Sequence, residues 1–452
     1  MAEATTDPVR LPPTVPLPKP VTAVAFLAAG SRSLKALRRR YGSAFTVPLP
    51  VVGRAVMISD PALIKELFTA GSDLVKRPGN LGRIFGPGST FSLNGVEHRQ
   101  RRKLLVPPFH GKRMNTYEAI VEEEVLRETA SWPEGQEFAT LPSMMRITLN
   151  AILRAVFGAE GAEFDELREL LPSIVLLGSR MSRLPFWARR DFGRFSPGGR
   201  LALLRSRYDE VIARLIAAAR RDPNSAERGD VLSMLLAARY DSGPDKSRPI
   251  SDSHVADELL TLLAAGHETT ATTLAWAVER LRRHPQLLSR LKAEADGEGS
   301  QLLQATVWEV QRTHPVIEGT GRVTRTRIRL GEWVIPDKEI VVVSIVLAHT
   351  AESNFPNADA FDPDRFVGNP PDTSLWVPFG GGVNRCVGAA FANMEMLLTL
   401  RTLLRRFEFA TTDAAGESNH SRGIANAPRR GGRAVVYRRP APAVDAAQVL
   451  PV

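Results

Sequence analysis

Phe379–Gly388 reads FGGGVNRCVG and holds Cys386, the only cysteine of the 452 residues. Glycine at three consecutive positions before the thiol, and again at Gly388, allows a tight turn and a close approach of backbone to a flat or bulky ligand. From Val387 the chain continues VGAAFANMEMLLTLRTLLRRF, with apolar residues at helical spacing, so the thiol stands at the head of a helix. Amide N–H groups and the helix dipole there lower a thiol's pKa and favour the thiolate, which is both a nucleophile and a soft metal ligand. The plain alternative is an inert, buried cysteine in an ordinary strand-to-helix turn.

Two sharper rivals fail on spacing and partners. A dinucleotide cradle needs glycine at position 385, where Arg385 stands. A cysteine hydrolase needs a histidine base, and nothing singles one out among the eight histidines. A lone cysteine excludes an intramolecular disulfide and any multi-cysteine zinc or iron–sulfur site, and it fits a reducing compartment. The formal charge of +10 comes in clusters: Arg38–Arg40, Arg99–Lys103, Arg189 and Arg190, Arg325–Arg329 and RRGGRAVVYRR near the end. Such clusters attract nucleic acid, an anionic membrane or an acidic protein, or simply solvate the surface.

Organisation along the chain is uneven. Residues 1–20 are Pro-rich and expected to be a flexible, extended lead-in. No signal peptide is evident, and VTAVAFLAAG (Val21–Gly30) is too short to span a bilayer, leaving at most a peripheral contact. AFTVPLP and RAVMIS read as short strands, and the chain from Pro61 to Ala238 is mostly helical. A long helix is expected from a cap at Ser251 or Ser253 to Arg283, stopped by His284–Pro285. Arg322–Thr350 reads as strands around GEWVIPDK, followed by a long Pro-rich loop up to the cysteine turn.

The spacing Phe379, Gly382, Cys386, Gly388 resembles the haem-ligand loop of the cytochrome P-450 family. The resemblance implies a mainly α fold with a smaller β part: one domain over 21–438, a flexible tail at 439–452, and haem b between the long central helix and the cysteine-loop helix. Cys386 becomes the iron ligand, with Phe379, Gly380 and Gly388 around it. In AAGHETTATT (264–273), Gly266 gives room over the haem while Glu268 and Thr269 relay protons, and His267 is a surface or pocket-wall residue. A glycine and a carboxylate inside an apolar helix oppose its stability, which is itself a sign of function.

Further motifs follow in family order. Glu309 and Arg312 of EVQR, with Arg365 of FDPDRF, resemble a buried structural triad; Glu124/Arg127 and Glu279/Arg282 share the spacing and read as surface helix pairs. His98 and Arg102, four apart, and Arg322 are implied to bind haem propionates, while Arg99, Arg101 and Lys103 point elsewhere, toward an acidic redox partner. One departure stands out: the family usually has Arg or His two residues before the cysteine, and here it is Asn384, so an Asn384→Arg change is expected to tighten haem retention.

The implied activity is a haem-thiolate monooxygenase that takes two electrons from outside, from an acidic ferredoxin or flavodoxin with its reductase, and puts one oxygen atom into an apolar substrate. A lipid, sterol, terpenoid or polyketide suits walls drawn from Lys76–Gly95, Leu170–Trp187, Leu259–Thr273, Val316–Thr320 and Ser421–Pro428. The expected protein is monomeric and cytoplasmic and binds no nucleic acid. A peroxide-using or isomerising haem-thiolate enzyme, a haem sensor and a basic nucleic-acid-binding protein are the alternatives. The Glu268–Thr269 pair disfavours the first two; the cysteine loop disfavours the third.

Overall fold

The computed structural model describes residues 1–22, 31–49, 53–79, 82–111, 113–158, 161–182, 184, 189–224, 228–240 and 246–440. Its axis is a central helix, Asp252–Leu281. Ser251 Oγ accepts from the His254 amide at 3.3 Å and Asp252 sits at the positive end of the dipole, so both ends of the cap are satisfied locally.

That helix is buried on nearly every side because apolar partners meet it along its length. Its first half, through Leu259, Leu260 and Leu263, shares a core with Ile152, Val156, Leu171 and Tyr208. Its second half, through Leu274 and Trp276, packs with Met144, Ile147, Leu303 and Leu400. Each such side chain taken out of water contributes roughly 1.5–3 kcal/mol. The burial breaks in one place: Ala265 is exposed, and Gly266 and Thr269 are half-buried. Ala265 and Thr269, four apart, share one helix face, and they open the core where a ligand would enter.

Beside the helices lies a five-stranded sheet in the order Ala44–Leu49, Gly53–Ile58, Ile340–Ser344, Gly319–Thr324, Val75–Lys76. Only the Gly53–Ile58 and Ile340–Ser344 pair runs parallel. Val75–Lys76 pairs with Val323–Thr324, which brings the start of the long 76–95 loop next to Arg322.

Two expectations about local structure are corrected. The strand run does not continue to Thr350: Ser344 caps a short helix, Ile345–His349, accepting from the Leu347 amide at 3.4 Å. The Pro-rich lead-in is extended but held. Glu3–Ala4 pairs with Ile328 and Arg329, Arg10 bridges to Val334, and Val15 donates to Thr46 O at 2.9 Å. Prolines leave carbonyls free, and Thr46 uses two of them, from its amide to Pro13 O and its hydroxyl to Pro12 O. Most of Val21–Gly30 and of the 439–452 tail lies outside the described residues.

Candidate functional site

The cysteine loop is built by glycine sterics. Gly380 and Gly382 have φ of +64° and +63°, the left-handed region that disfavours side chains. A methyl at Gly381 runs into the Phe68 ring and one at Gly382 into Phe68 O, so the turn can lie against Phe68 only without side chains. The Cys386 amide closes the loop on Phe379 O at 2.9 Å, and the Phe379 ring packs edge-on against Trp376. Cβ positions at Gly380 and Gly388 meet nothing within 4 Å.

Gly388 caps the final helix, Ala389–Arg406, and its amide hydrogen-bonds toward the Cys386 sulfur. Cys386 is exposed; protein atoms crowding its sulfur push the thiol up, against the Gly388 amide, Arg102 and Arg385. A coordinated metal ion would favour the thiolate, because its own charge outweighs the loss of water.

Above the loop, cations converge. His98 is buried and Arg102 half-buried on the helix Gly95–Leu105, and Arg102 Nη1 donates to Arg385 O at 2.6 Å. Arg322 is buried, donates to Gly381 O at 3.3 Å and stacks over Phe68. Arg77 joins them, with Nη2 donating to Asn384 Oδ1 at 3.1 Å and its guanidinium over Phe91. Burial and neighbouring arginines lower Arg77 to about 10 and His98 to about 4. His98 Nε2 is buried with no partner. None of the three arginines forms an ion pair with a described carboxylate, so the cluster is short of negative charge.

Arg101, expected to face a partner, does the opposite. It is fully buried and pairs with Glu258 of the central helix at 3.0 Å, while Glu258 also accepts from the Thr90 amide and hydroxyl. This staple fixes the 76–95 loop, and with it Arg77, to both helices. Arg99 and Lys103 are exposed.

On the central helix, Thr269 Oγ1 donates to Ala265 O at 2.8 Å on the open face. Gly266 does not face that opening: a methyl there meets Ile152 at 3.0 Å, so its smallness serves contact with the helix Leu141–Phe157. Glu268 pairs with Arg422 at 3.0 Å and, with buried His267, borders a cavity of about 260 Å³ lined also by Arg146, Asn150 and Arg168.

Glu309, Arg312 and Arg365 are brought together. Arg312 holds Glu309 through two bonds of 2.7 Å, and Arg365 Nε lies 3.3 Å from Glu309 Oε2. Arg312 also donates to the carbonyls of His349, Ala358 and Ala360. His349 in turn accepts from the Val377 amide at 2.9 Å, linking the triad to the cysteine loop. The other two Glu–Arg pairs of this spacing are surface pairs only in part, for Arg127 is exposed but both acids are buried. Glu124 is buried between Arg127, Asn150 and Arg154, and buried Glu279 binds Arg280 and Arg283 rather than Arg282.

A family model for cytochrome P-450 matches residues 12–431, nearly the whole chain. The chain belongs to the cytochrome P-450 family. The Mycobacterium tuberculosis protein described as cytochrome P450 138 is 54% identical over 433 residues, covering 95% of this chain and 97% of that one. Cytochrome P-450 137 of the same organism is 38% identical over 443 residues, covering 95% and 91%. Among solved structures, the retinoic acid bound cyanobacterial CYP120A1 superposes with a TM-score of 0.82 at 23% identity, covering 96% of this chain and all of that one. The fold is thus that of a cytochrome P-450, and the protein is an oxidoreductase of the haem-thiolate monooxygenase type.

The cytochrome P-450 family implies a haem, and the residues present fit one. A single soft ligand, Cys386, stands beside a turn free of side chains. The orphaned Nε2 of His98 and three arginines lacking carboxylates call for an anion such as a pair of propionates. Among the described residues no group of three or more His, Cys, Asp or Glu is placed to hold a bare metal ion. Sequence reasoning missed Arg77, Arg422 and His349, whose partners lie far along the chain.

Proposed function

We propose that this cytochrome P-450 binds haem b through Cys386 and inserts one oxygen atom into an apolar small molecule, using two electrons delivered by a separate acidic protein. When bound, the haem supplies dioxygen activation; the chain supplies binding, orientation and protons. His98, Arg102 and Arg322 hold propionates, and Phe379, Gly380 and Gly388 shape the thiolate side. Thr269 offers its hydroxyl proton at the open face of the central helix, and Glu268 passes protons beside the cavity behind it. Glu309, Arg312 and Arg365 lock the loop's surroundings and do no chemistry.

The observation that carries this reading is the Cys386 turn, a lone thiol with the Gly388 amide on its sulfur and glycines in front of it. The segments assigned to the substrate wall present Ile84, Phe91, Val316, Ile317 and Ile424, which suits an apolar substrate of the lipid, sterol, terpenoid or polyketide kind. Exposed Lys65, Arg99, Lys103 and Arg385 near the loop suit an acidic ferredoxin or flavodoxin. Part of the remaining basic charge is paired at the surface within the chain, with Arg433 on Glu137, Arg438 on Glu134, Arg439 on Asp296 and Arg329 on Asp7, which weighs against a nucleic-acid surface. No described helix is long and apolar enough to cross a membrane. A cytoplasmic monomer is the simplest setting for such a protein.

The test is an absorbance spectrum of the reduced, haem-loaded protein under carbon monoxide. The strongly red-shifted thiolate band is expected in the wild type and is lost in Cys386→His. A folded, haem-loaded wild type without that band overturns the reading.

A further inference from the structure

We infer that Arg77 supplies the positive charge that position 384 lacks, binding a haem propionate directly while Asn384 steers its guanidinium. The inference rests on the haem reading above and concerns how this chain, in particular, holds the group.

Position 384 lies two residues before the ligand cysteine, on the loop that faces Arg102 and Arg322. A neutral amide there removes one cation from the cluster. The structure puts another cation against that same amide: Arg77 Nη2 to Asn384 Oδ1 is 3.1 Å, across 307 residues of sequence. Arg77 Nη1 donates to Thr90 O at 3.2 Å, and the guanidinium lies 5.0 Å from the Phe91 ring centroid. A guanidinium carries five N–H donors, so these contacts orient the fork and leave donors for a carboxylate.

The charge balance points the same way. Arg77, Arg102 and Arg322 repel one another, and no described acid pairs with any of them. Buried or half-buried cations at such density are held only against an anion. A second, independent mark of a missing partner is His98 Nε2, buried within reach of the same arginines' field and bonded to nothing. The anchoring is deliberate in physical terms. Glu258 pins Thr90, whose carbonyl receives Arg77, and Lys76 pairs in the sheet with Val323, next to Arg322. The loop that carries Arg77 is thus tied to the same sheet edge and the same helix as the other cations.

An arginine at 384 would therefore stand against Arg77 rather than fill a gap. The sequence-based expectation for Asn384→Arg reverses: haem retention in that variant is unchanged or weaker.

The experiment measures haem loss from the ferric holoenzyme to excess apomyoglobin, and the reduction potential, for wild type, Arg77→Gln, Asn384→Arg and the double variant. Arg77→Gln is expected to lose haem about tenfold faster, the effect of one charge-assisted bond, and to have a lower potential because a propionate charge is left uncompensated. Asn384→Arg in the Arg77→Gln background is expected to restore both, which a purely structural role for Arg77 does not explain. If Arg77→Gln yields no haem-loaded protein, restored loading in the double variant supports the assignment, and continued failure overturns it. Haem loss within twofold of wild type or an unchanged potential in Arg77→Gln overturns it, as does slower loss in Asn384→Arg alone or a double variant no better than Arg77→Gln. A wild type that takes up no haem, or lacks the thiolate band, overturns the function reading instead.

Discussion

Arg422 Nε donates to Glu268 Oε1 across 3.0 Å, joining the loop before Asn426–Pro428 to the middle of the central helix. The neighbouring Ile424 amide donates to Ser179 Oγ at 2.6 Å, on the helix Ala162–Met181. One short loop therefore touches both the acid expected to pass protons and a helix of the expected substrate wall. Glu268 and Thr269 are adjacent in sequence but lie on different helix faces, the acid toward the cavity bordered by Arg422 and the hydroxyl toward the opening.

The first prediction separates the acid from its clamp. Glu268→Gln is expected to lower turnover about a hundredfold at unchanged haem content, the usual scale for a lost proton-transfer group. Arg422→Gln frees the carboxylate without removing it, so turnover stays within a few-fold of wild type. Product formation per electron consumed, measured in both variants, decides between roles. Equal losses in the two variants would make the pair a structural tie only.

The second concerns Glu309 and Arg312, each with no exposed side-chain surface. Removing one partner strands the other charge in the core, at a cost of about 3–5 kcal/mol. Glu309→Gln and Arg312→Leu are therefore expected to depress the denaturation midpoint steeply and to reduce haem loading. Arg312→Lys is no rescue, because a lysine cannot serve Glu309 and the carbonyls of His349, Ala358 and Ala360 together. A Lys variant with a wild-type midpoint would contradict this account.

What was legible in the sequence was what is local. The turn from Phe379 to Gly388, the Ser251 cap and the Glu309/Arg312 spacing each lie within ten residues, and backbone geometry or helix periodicity expresses them directly. What was illegible depends on partners brought in by the fold. Arg77 meets Asn384 across 307 residues and Arg422 meets Glu268 across 154, with no local pattern to mark either. Arg101 reads as one more surface cation of a basic helix until Glu258, 157 residues later, turns out to face it. Gly266 stands out as an anomaly in an apolar helix, but only the packed neighbour Ile152 shows which way a side chain there would point. The Pro-rich start has the composition of a loose segment, and carbonyl acceptors used by Thr46 hold it regardless.

The third prediction is a pH dependence carried by His349. Its ring is fully buried and accepts from the Val377 amide, so it is neutral in the fold; burial, with Arg312 next, lowers it to about 3. The unfolded chain takes up a proton near pH 6.5 that the folded one refuses. Stability is therefore complete above that value and falls as pH drops toward 3, by up to about 1.4 kcal/mol per pH unit. His349→Gln keeps an acceptor for Val377 but cannot titrate. Denaturation midpoints at pH 5 and 7 should differ less in that variant than in wild type; an equal difference would remove His349 as the cause.

The fourth concerns Glu395, on the cysteine-side helix Ala389–Arg406 and fully buried. Neither carboxyl oxygen has a hydrogen-bond partner, and the hydroxyl of nearby Thr270 donates to Gly266 O at 3.3 Å. Burial raises this carboxyl well above the ordinary range, with Thr270 acting weakly against it, so the group is protonated in the fold. Below the unfolded value, near 4.5, both states hold the proton and the group is neutral in its effect. As pH rises beyond it the unfolded chain ionises and the fold does not, so stability is lost at up to about 1.4 kcal/mol per pH unit until the folded carboxyl ionises too. Glu395→Met, similar in volume and with nothing to protonate, is expected to raise the denaturation midpoint of the haem-loaded protein, by an amount that grows from pH 5 to pH 8. A gain that stays flat across that range, or a loss at pH 8, would show that the carboxyl is ionised in the fold.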